Sequence, residues 1–266
     1  MTPLLFPRCE SRELALEQGL GESAPGVPWC IQIYERVSST MDAARNVATT
    51  MSPEQGGVVL ANEQLSGRGR QGRSWFSGEG GFAGTFIFRT QHTLASMVGY
   101  SLVVGCVVGE IFKSLGAGVG LKWPNDVLSV DRRKVCGALI ELSSQSGVSV
   151  VYTGIGINLT SSPAEVPEST SLFALSGLKF GPDEFLRLLA PALLEAWKLF
   201  LGQGFSAFRE RWLSAALFSG EQLSFDVGSK IVSGRMVGVS DQGALLLDRQ
   251  GETIEVLSGH QVETRL

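Results

Sequence analysis

The pattern of apolar and polar positions along the chain predicts a mixed sheet backed by helices. Apolar runs typical of buried strands lie at Ile31–Tyr34, Gly57–Asn62, Thr85–Arg89, Val148–Thr153 and Ile155–Leu159. Helical spacing predicts helices over about Met41–Thr50, Asp183–Leu201 and Phe205–Leu217. Strands that alternate irregularly with helices indicate an α+β fold.

A hairpin is predicted in the middle of the chain. The strand Gly120–Trp123 is expected to pair with Val135–Glu141, and Ser129–Arg133 would form the turn. After Gly220 the pattern changes to short strands separated by glycine turns, which predicts a small β-barrel of SH3-like type. We therefore expect an N-terminal extension over 1–28 that is poorly ordered, a main domain over 29–218 and a barrel over 219–266.

The segment Leu94–Phe112 is apolar enough to raise the question of a membrane span. Glycines at 99, 105 and 109 would let a helix pack tightly on a sheet, and Glu110 interrupts its end. The flanking sequences run into polar motifs. We expect a buried core helix and no membrane partner.

Charge balance, cysteine spacing and the N-terminal residues exclude several classes of protein. The chain carries 22 basic and 26 acidic residues, so a general nucleic-acid coating role is not expected. The four cysteines lack CxxC spacing, which argues against a zinc site or a disulfide scaffold and favours the cytoplasm. Acidic residues within Met1–Gly21 argue against a secretory signal. The histidines, His92 and His260, are isolated in sequence and are expected to be structural or surface residues.

The segment Gly67–Trp75 is the strongest chemical signal. It places Arg68, Arg70 and Arg73 among glycines, and Trp75 follows directly. Such a segment suits a loop that folds over a phosphate or a carboxylate. The alternative is a solvated basic loop, as in disordered RNA-binding tails.

Further runs follow in a fixed order. Lys122–Asp126 reads Lys-Trp-Pro-Asn-Asp, Lys134 precedes Gly137, and Gly154–Leu159 alternates glycine with branched apolar residues. Together with Ser38–Asp42 and Gln64, the set resembles the biotin protein ligase family from about Trp29 to the end of the chain. The resemblance implies the catalytic fold shared with class II aminoacyl-tRNA synthetases and an SH3-like C-terminal domain.

The resemblance also implies the reaction. Biotin and ATP would form biotinyl-5'-AMP, and the biotin would pass to a lysine of a biotin carboxyl carrier protein of acetyl-CoA carboxylase. The catalytic residues implied are Lys134, Arg70, Asp126 and Lys122. Lys134 would neutralise charge at the acyl-phosphate junction, and Asp126 would orient or deprotonate the incoming lysine.

Binding residues carried over from the family form two groups. The biotin group is Ser39, Thr40, Gln64, Gly67, Arg68, Arg70, Lys134 and Gly137. Read from the residues alone, Ser39 and Thr40 form a helix N-cap, and this role can coexist with ligand binding. The ATP group is Arg70, Arg73, Trp75, Lys122, Asn125 and Asn158. Trp75 would stack on adenine, Asn158 would contact the base edge, and Mg²⁺ would be held mainly by the ATP phosphates near Asn125.

Some positions depart from the family pattern. Met41 stands where many members have asparagine, and Ser77–Glu79 replaces a usual Ser-Pro. The run Phe82–Phe86 differs where members place an aromatic and a serine near the biotin ring. These changes concern acyl specificity more than reaction type.

Two alternatives stay open. A lipoate or octanoate ligase or transferase would share the fold and acylate a lysine. A regulator that binds biotinyl-AMP and DNA would need a helix-turn-helix of about sixty residues before the main domain, for which there is about half the room before Ile31. We expect no DNA partner, and the sequence does not decide between a monomer and a homodimer.

Overall fold

The structure is a computed structural model that describes residues 7–23, 26–76, 80–145, 147–228 and 230–262. Its helices are α1 Glu10–Ser23, α2 Thr40–Thr50, α3 Tyr100–Ser114, α4 Leu172–Ser176, α5 Pro182–Gln203 and α6 Arg209–Leu213. Its strands are β1 Trp29–Val37, β2 Gly56–Gln64, β3 Phe82–Thr90, β4 Val119–Lys122, β5 Asp126–Ser129, β6 Lys134–Gln145, β7 Val148–Ile157, β8 Gln222–Asp226, β9 Ile231–Val239, β10 Leu245–Arg249, β11 Glu252–Val256 and β12 His260–Val262.

The first sheet has seven strands in the order β1-β2-β3-β7-β6-β5-β4. Strand β1 pairs with β2 in parallel, and the other neighbours are antiparallel. This is the predicted mixed sheet. Its register sets Lys122 opposite Asp126, Asp126 opposite Gly137, and Gly137 opposite Gly156, which brings three sequence motifs together.

Helices cover both faces of this sheet. Because side chains alternate across a strand, Ile87 packs towards α2 while its neighbours Phe86 and Phe88 join the core formed with α3 and α5. The apolar segment Leu94–Ser114 is long enough to cross a membrane by length and composition. In the fold it is a core helix, since ten residues of α3 are buried and α3 contacts α5, β4 and β6.

The predicted hairpin is wrong in one respect. Strand β4 pairs with the short strand β5 rather than with β6, and β5 then pairs with β6. The turn predicted at Ser129–Arg133 does form, closed by Ser129 N donating to Arg133 O at 2.9 Å, but it joins β5 to β6. The Lys122–Asp126 motif itself makes the tight connection between β4 and β5.

The expectation of a poorly ordered N-terminal segment is wrong for residues 10–23, which form α1. The helix packs beside β1, the outermost strand. Its Glu13, which is 4% exposed, accepts from Ile33 N at 2.7 Å, and Glu17 accepts from Ile31 N at 2.8 Å. These carboxylates satisfy edge amides that would otherwise lack partners. Residues 1–6 and 24–25 lie outside the described part.

The C-terminal strands form a second, antiparallel sheet in the order β11-β10-β9-β8-β12. The predicted closure into a barrel stays a prediction, as do the domain boundaries. This sheet packs on the first through Trp123, whose Nε1 donates to Gly243 O at 3.0 Å and whose ring meets Phe225 edge-on. The helix predicted over Phe205–Leu217 is shorter, because a 3₁₀ turn at Phe205–Phe208 precedes α6.

Candidate active site

A single cleft gathers almost all the predicted site residues. It lies between the start of α2, the β4–β5 turn, the segment Gly67–Trp75, which we call the arginine loop, and strand β12, and it encloses about 1010 Å³ including space open to solvent. Among the predicted residues, Gly67 and Asn158 do not line it. The lining set that was predicted is Ser39, Thr40, Gln64, Arg68, Arg70, Arg73, Trp75, Lys122, Asn125, Asp126, Lys134 and Gly137.

The arginine loop is a compact hairpin rather than an open coil. Trp75 N donates to Gly67 O at 2.8 Å, and Gly69 N donates to Arg73 O at 2.7 Å. A Cβ at Gly67 would lie 2.4 Å from Trp75 O, so only glycine fits there. Gly67 therefore shapes the loop instead of contacting a ligand from the cleft wall.

The three loop arginines have different partners. Arg68 forms a bidentate ion pair with Asp42. Arg70 and Arg73 form no ion pair with a carboxylate among the described residues, and Arg70 Nη1 makes only a long contact of 3.4 Å to Gly259 O. Burial lowers the pKa of Arg70, and the charge of Arg73 lowers it further against the opposing effect of Asp126. Arg70 and Arg73 are thus the loop cations that an anion would neutralise.

Trp75 lies on the floor of the cleft. A Cβ at Gly156 would lie 2.2 Å from Trp75 Cε2, and one at Gly137 would lie 3.3 Å from Cζ3, so the indole rests directly on the backbones of β6 and β7. Lys134 Nζ is 5.7 Å from the ring centroid. The absence of a side chain at Gly156 therefore lets Trp75 approach the backbone of β7 closely.

Lys134 and Asp126 form the central ion pair, with Lys134 Nζ 2.6 Å from Asp126 Oδ1. Register explains the contact, because Asp126 lies opposite Gly137 while Lys134 starts the same strand. Lys122, the last residue of β4, is paired with Asp126, the first residue of β5. Burial lowers the pKa of Lys122, as do the charges of Lys134 and Arg73, whereas Asp126 raises it.

The biotin-facing end predicted at α2 is a polar network. Ser39 is the N-cap of α2, as the alternative reading predicted, and its hydroxyl accepts from Met41 N at 3.3 Å. Thr40 N and Oγ1 donate to Gln64 Oε1 at 2.9 and 3.1 Å, and Thr85 Oγ1 donates to Thr40 Oγ1 at 2.9 Å. Uncharged polar groups here suit a neutral polar ligand ring.

The two predicted asparagines both bind backbone. Asn125 lines the cleft, but its Nδ2 donates to Ala138 O at 2.7 Å and anchors the β4–β5 turn to β6. Asn158 is 4% exposed, and its Nδ2 donates to Thr170 O at 3.0 Å. Its predicted contact with the base edge does not match this buried position; here it holds the segment that leads into α4.

Several lining residues were not predicted from the sequence. Gly84, Leu139 and Ile155 line the cleft on the first sheet, and the run Gly259–Gln261, at the start of β12, lines it on the second sheet. His260 thus lies at the cleft, whereas its sequence context predicts a structural or surface residue. Its isolation in sequence gave no signal, because only the packing of the second sheet brings it there. The departure at Ser77–Glu79 lies outside the described residues.

The arrangement suits chemistry between two anions. Arg70, Arg73, Lys122 and Lys134 line one cleft, and Asp126 is the carboxylate among its described lining residues. Excess fixed positive charge lets an anionic nucleophile approach an anionic phosphate. Among the described residues, no group of three or more His, Cys, Asp or Glu could hold a metal ion.

A family model described as the biotin/lipoate A/B protein ligase family matches residues 33–158. That range includes the arginine loop, the Lys122–Asp126 motif and Lys134. The match thus covers the residues that form most of the cleft.

Curated relatives and solved structures agree with the family model. The biotin--[acetyl-CoA-carboxylase] ligase of Paracoccus denitrificans is 37% identical over 77% of this chain and 90% of the relative. The bifunctional ligase/repressor BirA of Escherichia coli is 33% identical over 74% of this chain and 63% of its own length. The biotin protein ligase from Aquifex aeolicus in complex with biotin and ATP is 30% identical, with a TM-score of 0.70 over 87% of this chain and 97% of that one. On sequence, fold and cleft alike, the chain belongs to the biotin protein ligase family.

Proposed function

We propose that this protein is a biotin–[biotin carboxyl carrier protein] ligase. It activates biotin with ATP to biotinyl-5'-AMP and transfers the biotinyl group to a lysine of a biotin carboxyl carrier protein. The observation that carries the proposal is the cluster of Arg70, Arg73, Lys122 and Lys134 beside an uncharged polar pocket at α2. The relatives named as biotin ligases support the same reaction.

In the first step the biotin carboxylate attacks the α-phosphorus of ATP, an acyl oxygen–phosphorus bond forms, and pyrophosphate leaves. Arg70, Arg73 and Lys122 reduce the repulsion between the two anions. Lys134 Nζ stabilises the oxygen at the new junction. Mg²⁺, bound to the ATP phosphates, would neutralise their charge. The oxygens that Asn125 and Asp126 offer in the cleft suit a cation held mostly by phosphate.

In the second step the amine of the carrier lysine attacks the acyl carbon. A carbon–nitrogen bond forms, the bond from the acyl carbon to the AMP oxygen breaks, and AMP leaves. Asp126 orients the amine and accepts its proton, and the ion pair with Lys134 fixes the position of the Asp126 carboxylate. This makes Asp126 and Lys134 one functional pair.

We assign the two ends of the cleft to the two parts of the intermediate. Ser39, Thr40 and Gln64 face the biotin end, and Gly137 lies beside Lys134 and Trp75, between the two ends. Trp75, with the face of its ring that is not against β7, would stack on adenine. Asp42 holds Arg68, so Arg70 and Arg73 are the arginines that face the carboxylate and the α-phosphate.

The matching family model covers lipoate ligases as well as biotin ligases. The preference for biotin over lipoate therefore rests on the residues of the pocket and on the relatives named as biotin ligases. The Paracoccus ligase matches over nearly its whole length without a repressor function in its name, which favours a ligase without DNA binding. We also propose a cytoplasmic location, consistent with four free cysteines. The carrier would be that of acetyl-CoA carboxylase.

The test is acylation of a purified biotin carboxyl carrier domain, read by mass spectrometry. With biotin, ATP and Mg²⁺ we expect one biotinyl group on a single lysine and none without ATP. Lipoate and octanoate serve as parallel acyl donors. Preferential transfer of lipoate would select the alternative.

A further inference from the structure

The arginine loop is tied to α2 by an ion pair that the ligase chemistry does not itself require. Arg68 Nη1 and Nη2 donate to Asp42 Oδ2 and Oδ1 at 2.9 and 2.7 Å. Asp42 lies in the first turn of α2, two residues after Thr40, which binds Gln64. The same helical turn therefore carries a biotin-facing hydroxyl and an anchor for the loop.

We propose that Asp42 is a positioning residue that holds the arginine loop closed over the cleft by fixing Arg68. The inference rests on the proposed function and concerns how the site keeps its intermediate. A bidentate pair fixes both the position and the plane of a guanidinium. Asp42 accepts from two of the five N–H donors of the Arg68 guanidinium, which leaves three donors for other contacts. We call the Arg68–Asp42 pair the latch.

The latch affects the opening of the arginine loop more than the stability of the whole fold. The side chains of Arg68 and Asp42 are 40% and 33% exposed, and pairs this exposed add little to global stability. Among the residues that the structure describes, the long-range contacts that hold the loop include this pair, the packing of Trp75 on β6 and β7, and the long contact from Arg70 to Gly259. Loss of one of them shifts the local opening equilibrium without unfolding the domain.

The chain provides a matched control. Arg211 Nε and Nη2 donate to Glu110 at 2.8 and 2.5 Å, with side chains 40% and 48% exposed. This pair joins α6 to α3 away from the arginine loop. Glu110→Gln thus removes a carboxylate that is also held bidentately by a partly exposed arginine, and it does not touch the loop.

The first experiment needs no ligand and no reaction. Trypsin is added to the ligand-free full-length protein, and cleavage after Arg70 and Arg73 is followed by mass spectrometry. We expect Asp42→Asn to speed this cleavage about fivefold, while Asp42→Glu and Glu110→Gln stay within about twofold of wild type. Equal cleavage of Asp42→Asn and wild type, with unchanged melting temperatures, would overturn the proposal.

The second experiment measures retention of the intermediate. Biotinyl-AMP is formed on the enzyme, ATP is removed, and release of the adenylate is timed. Asp42→Asn should release it about fivefold faster with first-turnover pyrophosphate release nearly unchanged, and Arg68→Ala with Asp42→Asn should be no worse than the faster single variant. Additive effects in the double variant would contradict a shared latch. A wild type that forms no adenylate would count against the proposed function and leave the cleavage test standing.

Discussion

At the scale of single residues, the positive charges of the cleft are balanced in different ways: some are paired with a carboxylate, and others are partly buried without one. Asp126 pairs with Lys134, Asp42 pairs with Arg68, and burial lowers the pKa of Lys122 and of Arg70. Unneutralised positive charge in a partly buried cleft costs free energy in the ligand-free protein. A phosphate ester would recover that cost on binding.

Lys134→Ala tests the role at the acyl-phosphate junction. We expect pyrophosphate release to fall roughly a hundredfold, the loss typical of one transition-state contact. The melting temperature should change little, because Lys134 is 35% exposed. Arg133→Ala is the control, since Arg133 precedes Lys134 at the end of the β5–β6 turn and pairs with exposed Asp131. Wild-type pyrophosphate release from Lys134→Ala would refute the assignment.

The lowered pKa of Lys122 predicts that the rate of adenylate formation depends on pH. Its lowered pKa means that it loses its charge at a lower pH than an ordinary lysine, so adenylate formation should decline as pH rises through that lowered value. Lys122→Arg should move the decline to higher pH, because arginine stays protonated. The measurement is kcat/KM for ATP from about pH 7 to about pH 10. Superimposable profiles would show that Lys122 does not set the alkaline limb.

At the scale of elements, the indole ring of Trp75 packs against the backbones of β6 and β7. Gly156→Ala would place a methyl group 2.2 Å from Trp75 Cε2, so the ring must leave its place. We expect a raised KM for ATP with biotin affinity nearly unchanged. Gly154→Ala is the matched control two residues along the strand, where the added carbon would meet Met41 Sδ at 3.4 Å. If both variants bind ATP like wild type, Trp75 does not contribute to the nucleotide end.

Sequence periodicity predicted the strands and helices whose apolar faces are continuous, such as β3, α2 and α5. It missed β5, because Asp126–Ser129 joins a chemical motif to a turn and is too short to show a period. It missed α1, because the buried carboxylate of Glu13 is bound by Arg8 and also by Ile33 N on β1, and the second contact is distant in sequence. Contacts between distant parts of the chain decide such elements.

The same limit holds for the site. Residue types and order placed most of the lining set in one cleft, since strand register brings those motifs together. The pairing of Asp42 with Arg68, the burial of Asn158 and the arrival of His260 depend on tertiary packing that no local pattern encodes. Arg70 and Gly259, for example, are 189 positions apart.

At the scale of the whole molecule, the second sheet completes the cleft of the first. Trp123 is 5% exposed because it packs on Phe225 and binds Gly243. A chain ending at Ser219 would lose these contacts and the Gly259–Gln261 wall. We expect it to use ATP poorly and to transfer little biotin, while keeping some affinity for biotin. Circular dichroism controls for folding, and a folded truncated chain that biotinylates the carrier at the full rate would make the second sheet a passive appendage.

We expect this cleft to form a biotinyl-adenylate before any carrier binds. The most direct measurement is the pyrophosphate released when enzyme, ATP and Mg²⁺ are mixed with biotin in the absence of a carrier, with lipoate in a parallel reaction. We expect a rapid burst of about one pyrophosphate per active site with biotin and none with lipoate. No burst before carrier is added, or an equal burst with lipoate, would contradict it.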